Sequence, residues 1–143
     1  MHGGDRAIWS AMRHALWPEA SLEAHAHDIE RVLGDGDAWG FLAIVDETPL
    51  GFAEIAIRKY ANGCESMPVP FLEGIWVEPR FRRRGIGVAL VKHVEVFVSA
   101  RGFREIGSDA LIDNTASHAA HSAWGFAETE RVVCFRKLIA SGG

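Results

Sequence analysis

Apolar positions along the chain change period several times, and each change marks an element. Between residues 5 and 16, Ile8, Met12, Ala15 and Leu16 form one helical face. The stripe ends before Trp17-Pro18, because a residue ahead of proline is steered away from helical backbone. Ser21 is placed to cap a second helix with Leu22, Ala26, Ile29 and Leu33 as its stripe and Gly34 as its stop. WGFLAIV (39–45) reads as a buried strand, residues 46–49 as a turn, and LGFAEIAIRKY (50–60) as the returning strand. ANGCESMPVP (61–70), with two prolines, is irregular. FLEGIWV (71–77) is the next strand, and residues 85–100 form a helix with Ile86, Leu90, Val94 and Phe97 inward, closed by Gly102. REIGSD (104–109) reads as a short strand, 115–123 as a last helix, Gly125-Phe126 as a break and TERVVCFRKL (129–138) as a final strand.

That order predicts an α/β fold: one mixed, mostly antiparallel sheet with helices on both faces. Strand 71–77, helix 85–100 and strand 104–109 make a right-handed βαβ unit, so the helix starts beyond the strand's C-terminal end. With 143 residues, about half of them apolar, the chain has the length of one domain (1–143). A formal net charge of −4 argues against nucleic acid as a partner. No run is long enough to span a membrane, and MHGGDRAIW lacks a signal-peptide core. Cys64 and Cys134 have no metal or redox spacing and read as reduced thiols of a cytoplasmic protein. Seven histidines, including His25/His27 and His118/His121, form no ligand set, so no metal is expected.

One segment departs from this acidic background. GIWVEPRFRRRGIGVAL (74–90) places four arginines in five positions ahead of Gly85 and Gly87, between a strand and a helix. A helix N-terminus presents unpaired N–H groups and partial positive charge. Glycines let the backbone approach an anion, and guanidinium groups suit phosphate oxygens. A solvated turn with a chance G-x-G is the bland account. The strand-before, helix-after setting favours a pyrophosphate site.

Arg82-x-x-Gly85-x-Gly87 resembles the R/Q-x-x-G-x-G/A signature of the GNAT superfamily of acyl-CoA-dependent N-acetyltransferases, and Asn114…His121-x-x-x-Gly125-Phe126 is similar to its second landmark. The resemblance extends over nearly the whole chain. It implies that Arg82, Arg83, Arg84, Gly85, Ile86, Gly87 and Val88 hold the pyrophosphate of acetyl-CoA. Ile75, Trp76 and Val77, on a strand splayed from its neighbour, would take the pantetheine and thioester, with Asn114 on the pantetheine side. LWPEA, YANGCESMPVPFLEGIWVEPRFRRRGIG and SDALIDNT…GFAETERVVCFRK further resemble aminoglycoside 6′-N-acetyltransferases. That likeness implies an aminoglycoside site made by Trp17, Tyr60, Glu73, Asp109 and Glu130. The first strand of a GNAT is absent here or reduced to MHGGD: either the start codon is placed late, or the sheet has lost an edge strand.

Taken singly, these residues have other accounts. Glu73 lies within an apolar strand, where an unpaired buried carboxylate costs several kcal/mol, so an edge-facing or functional role is favoured. Asp109 is equally well a strand end, Glu130 a solvated charge and Trp17 a core aromatic, while Tyr60 is open. Acetyl transfer to an amine needs a base, an oxyanion cradle and a proton for the thiolate. Glu73 is the expected base and the backbone at 75–77 the cradle. His121 stands where many GNATs carry a tyrosine acid, though it can equally pack beside Trp124. The expected partner is an aminoglycoside or another polycationic amine, and the expected assembly a homodimer. The rival readings are a GNAT acting on a polyamine, metabolite or protein N-terminus, and a silent acyl-CoA sensor.

Overall fold

The computed structural model describes residues 3–140. In chain order it contains α1 (Gly3–Leu16), α2 (Leu22–Gly34), β1 (Ala38–Val45), β2 (Thr48–Arg58), β3 (Val69–Val77), a 3-10 turn (Pro79–Phe81), α3 (Ile86–Ala100) and α4 (Thr115–Ala123). Ser21 caps α2 as its position suggests, its hydroxyl accepting from Ala24 N–H at 3.0 Å. The three strands form an antiparallel sheet in the order β1-β2-β3. Asp46 and Glu47, both at positive φ, make the tight turn between β1 and β2.

Alternation along the strands sorts the core into two layers. Ala53, Ile55, Leu72 and Val77 meet Leu90, Val94 and Val98 of α3 on one face. Phe52 meets Trp9, Met12 and Ile29 of α1 and α2 on the other. Glu54, on the α1 side, is buried, and both its oxygens accept from Arg13 Nη1 at 2.5 and 2.7 Å, with Trp9 Nε1 at 2.7 Å. Burial pushes the Glu54 carboxyl above its ordinary range, against the pull of Arg13 and Trp9. The two-oxygen pairing with a guanidinium is nonetheless the arrangement of a carboxylate, and we read the pair as ionised. Arg13 Nε also donates to His25 Nδ1 (3.2 Å), which leaves His25 Nε2 as the donor to the Trp17 carbonyl (3.0 Å). The α1–α2 corner is therefore anchored by a fully bonded polar network inside the molecule.

Two expectations are corrected. Residues 104–109 form no strand: the parallel crossover is reduced to one bridge between Phe71 and Gly107, with Leu72 N–H on Gly107 O (2.8 Å) and Gly107 N–H on Pro70 O (2.9 Å). The polar groups around it turn to other segments, Glu105 to the 65–66 backbone and Ser108 to His121. The expected last strand, 129–138, is likewise irregular and joins neither free edge of the sheet; Val133 and Phe135 stay 78% and 91% exposed. At the other end, residues 3–5 belong to α1 and make no strand, while residues 1 and 2 lie outside the described residues. β1 is thus an edge strand among the described residues.

Candidate active site

The register of β2 against β3 decides where Glu73 points. Glu54 pairs with Gly74 and Ile55 with Leu72, so Glu73 is an extra residue, a β-bulge. The bulge breaks the alternation: Leu72 and Ile75 both face α3, while Gly74 lies under Trp17 on the α1 side. Glu73 reaches the end of β2, where Arg58 chelates it through Nε–Oε1 (2.9 Å) and Nη2–Oε2 (2.7 Å). A carboxylate inside an apolar run is therefore neither buried nor unpaired.

Of the acceptor residues named from the sequence, Trp17 and Asp109 lie near Glu73 and its partner Arg58. A Cβ on Gly74 would stand 2.5 Å from the Trp17 indole, so only glycine lets this ring lie against β3 beside Glu73. Trp17 is fixed from behind, stacked on His25 with Arg13 4.8 Å from its centroid. Asp109 is exposed and close enough to act on the Arg58 charge; the hydrogen bonds that Arg58 donates to Glu73 are the main cause that raises the Arg58 pKa, and Asp109 adds to it. Tyr60, two positions after Arg58, is exposed on the loop that leaves β2. The same loop meets the C-terminal arm where Gly63 packs on Thr129 and Glu130. Arg58 itself escaped the sequence reading, since a basic residue at a strand end looks solvated. Its partner is 15 positions away, and only the bulge brings it into reach.

The other half of the site starts one residue further along. Beyond Leu72, the outer edge of β3 has no partner strand among the described residues, and the backbone groups that Ile75 and Val77 turn to that side are without a strand neighbour. Arg82 folds back, its Nε donating to Val77 O at 2.8 Å, so this arginine shapes the loop it belongs to. Arg83 and Gly85 hold positive φ (65° and 82°), and Gly85 starts α3 with no side-chain cap, so the first-turn N–H groups face outward with Arg83 and Arg84 exposed around them. Gly87 has a further reason to be glycine: a Cβ there would lie 2.5 Å from Trp124 Nε1. Trp124, at the end of α4, thus packs against the first turn of α3, a neighbour the sequence reading did not connect with the loop.

α4 links the two halves. Asn114 caps it, its Oδ1 accepting from Ser117 N–H at 3.1 Å. His121 Nδ1 lies 2.8 Å from the Ser117 carbonyl, which can only accept, so the ring proton sits there and Nε2 accepts from Ser108 Oγ at 2.7 Å. Trp124 and Phe126 wall the ring at 5.1 and 5.3 Å. His121 thereby ties α4 to the residue next to Asp109. Among the described residues no group of three or more His, Cys, Asp or Glu is placed to hold a metal ion.

A strand opened at a bulge beside an arginine–glycine helix start is the frame of an acyl-CoA-dependent acetyltransferase. The profile of the Acetyltransferase (GNAT) family matches residues 6–126, and the chain belongs to that family. It is 44% identical over 130 residues to the aminoglycoside N(6′)-acetyltransferase type 1 of Salmonella typhimurium, covering 90% of each chain. To the enzyme of that name from Klebsiella aerogenes it is 44% identical over 137 residues, covering 93% of this chain and 90% of that one. Among solved structures, AAC(6′)-Iy in complex with the bisubstrate analog CoA-S-monomethyl-acetylneamine superposes with a TM-score of 0.91 at 41% identity, over 97% of this chain and 95% of that one. The apo structure of AAC(6′)-IG from Acinetobacter haemolyticus gives 0.92 at 38% identity, over 98% and 97%.

Proposed function

We infer that the protein transfers an acetyl group from acetyl-CoA to the 6′-amine of aminoglycosides, directly, within a ternary complex. The observation that carries this reading is the placement of both half-sites on one strand. Glu73, at the bulge of β3, is followed at once by the open edge at 75–77, which runs into the arginine–glycine loop. An amine drawn to the carboxylate is thereby delivered beside the acyl donor's channel.

The chain's residues fit acetyl-CoA: an uncapped helix start with Arg83 and Arg84 suits a pyrophosphate, and a free strand edge suits the amides of pantetheine. When bound, acetyl-CoA supplies a thioester carbonyl as the electrophile. Glu73 attracts the acceptor ammonium and takes its proton, directly or through water. Backbone N–H groups at the open edge are the oxyanion donors, each contributing about 10²–10³-fold. Asp109 and Glu130 hold further ammonium groups, and Trp17 and Tyr60 flank the rings. His121 has both ring nitrogens engaged, which favours an anchoring role over that of an acid.

The inferred assembly is a homodimer working in the cytoplasm, where acetyl-CoA is made and free thiols such as Cys64 and Cys134 persist. Residues 127–140 support the dimer: a strand-like sequence with Val132, Val133, Phe135, Leu138 and Ile139 all more than half exposed is covered best by a second copy. Thiol release from acetyl-CoA with a panel of acceptors tests the function. We expect release with kanamycin-type aminoglycosides and little with spermidine. Faster release with the polyamine overturns the substrate class, and binding of acetyl-CoA without release to any amine supports a sensor.

A further inference from the structure

We propose that Arg58 is a built-in surrogate for the acceptor: its guanidinium occupies the ammonium subsite formed by Glu73 and Asp109, and an incoming aminoglycoside displaces it. The proposal rests on the acceptor-site reading above and adds a competitor inside that site. A carboxylate whose two oxygens already accept from a guanidinium at 2.7 and 2.9 Å is a poor base and a poor partner for a second cation. Either Glu73 is not where the amine binds, or Arg58 must leave.

Several features suit Arg58 to leaving. It ends β2, and its side chain is 41% exposed, so it is open to solvent on the side away from the core. Its guanidinium lies 3.6 Å from the centroid of Phe71, on a flat apolar face that a sugar ring can also use. Beside it lies a depression of about 450 Å³ that Arg58 itself lines, where Asp37 offers a carboxylate and Lys59 and Arg101 bring like charge. An exposed ion pair of this kind is weak enough to exchange and strong enough to discriminate. A monoamine brings one charge to a carboxylate already neutralised. A polycation that also engages Asp109 and Glu130 offsets the lost pair. Arg58 thus sets a threshold that favours polycationic acceptors over single amines.

Calorimetry of a kanamycin-type acceptor on the CoA-saturated enzyme tests this, with Arg58→Gln, Arg58→Lys and Glu73→Gln in parallel. Arg58→Gln is expected to tighten acceptor binding by about fivefold, the scale of one surface ion pair, with acetyl-CoA affinity unchanged and Arg58→Lys in between. In the parent enzyme, the Arg58 Nε–H resonance should lose its protection from exchange on saturation with the acceptor. Glu73→Gln should weaken acceptor binding. If Glu73→Gln weakens binding but Arg58→Gln leaves it unaltered or weaker, Arg58 is a permanent clamp and the proposal is wrong. If Glu73→Gln leaves acceptor binding unaltered, the acceptor-site reading itself falls, and the surrogate with it.

Discussion

At the scale of single residues, the site depends on contacts that a change of one side chain should break selectively. Glu54 is the clearest structural case. Glu54→Ala leaves the buried Arg13 guanidinium with Asp28, at 3.2 Å and partly exposed, as its remaining carboxylate partner, a loss of about 3 kcal/mol in stability that urea denaturation measures. A loss under about 1 kcal/mol would mean the pair is dispensable. Gly87→Asp places a side chain against the Trp124 indole and a negative charge beside the proposed phosphate site. Acetyl-CoA affinity should fall about tenfold or more, and an unchanged dissociation constant contradicts the loop assignment. His121→Phe should keep turnover within about threefold of the parent if both nitrogens serve to anchor Ser108 and α4. A loss of about 10²-fold would return the histidine to the role of acid.

At the scale of elements, the 61–68 loop shows how acidity can loosen one side of the site. Glu105 accepts from the backbone N–H groups of Ser66 (2.8 Å) and Glu65 (3.1 Å), and these bonds, Ser66 foremost, hold its carboxyl below the ordinary range. A depressed pKa in the folded state means that the bonds contribute fully above the ordinary glutamate value of about 4.3. Their contribution is lost as pH falls through the lower, folded-state value. Hydrogen exchange at Glu65 and Ser66 should therefore accelerate in acid beyond the intrinsic rate, and in Glu105→Gln at every pH. Equal protection in parent and variant counts against the tether. Helices were legible in the sequence where local chemistry decides them, as with the Ser21 cap and the Ile86, Leu90 and Val94 stripe. The bulge at Glu73 was not, because register is settled by pairing with β2 and leaves no mark in FLEGIWV itself. The 129–138 segment carries a strand's pattern but pairs with no strand among the described residues, so its sequence predicted a strand that the fold does not complete.

At the scale of the whole molecule, two questions remain open to experiment, assembly and regiochemistry. Val133→Ser with Phe135→Ser removes apolar surface from the arm, and light scattering should then report a monomer where the parent gives the proposed dimer. A dimer of unchanged affinity would place the interface elsewhere. The arginine–glycine loop marked a pyrophosphate site directly, since a helix start after a strand is a local motif, and the family resemblance named acetyl-CoA as its expected occupant. The proposed acceptor half draws Trp17, Glu73, Asp109 and Glu130 from four separated segments, and only their joint resemblance to one enzyme type pointed to it. That half carries the central claim, and NMR mapping of the acetylated product tests it most directly. A kanamycin-type acceptor should carry its new acetyl group on the 6′-nitrogen. An analogue with a 6′-hydroxyl should bind through its remaining ammonium groups, at a salt-sensitive affinity, and stay unacetylated. Efficient acetylation of that analogue at another amine would contradict the 6′ assignment and leave the acetyltransferase fold standing.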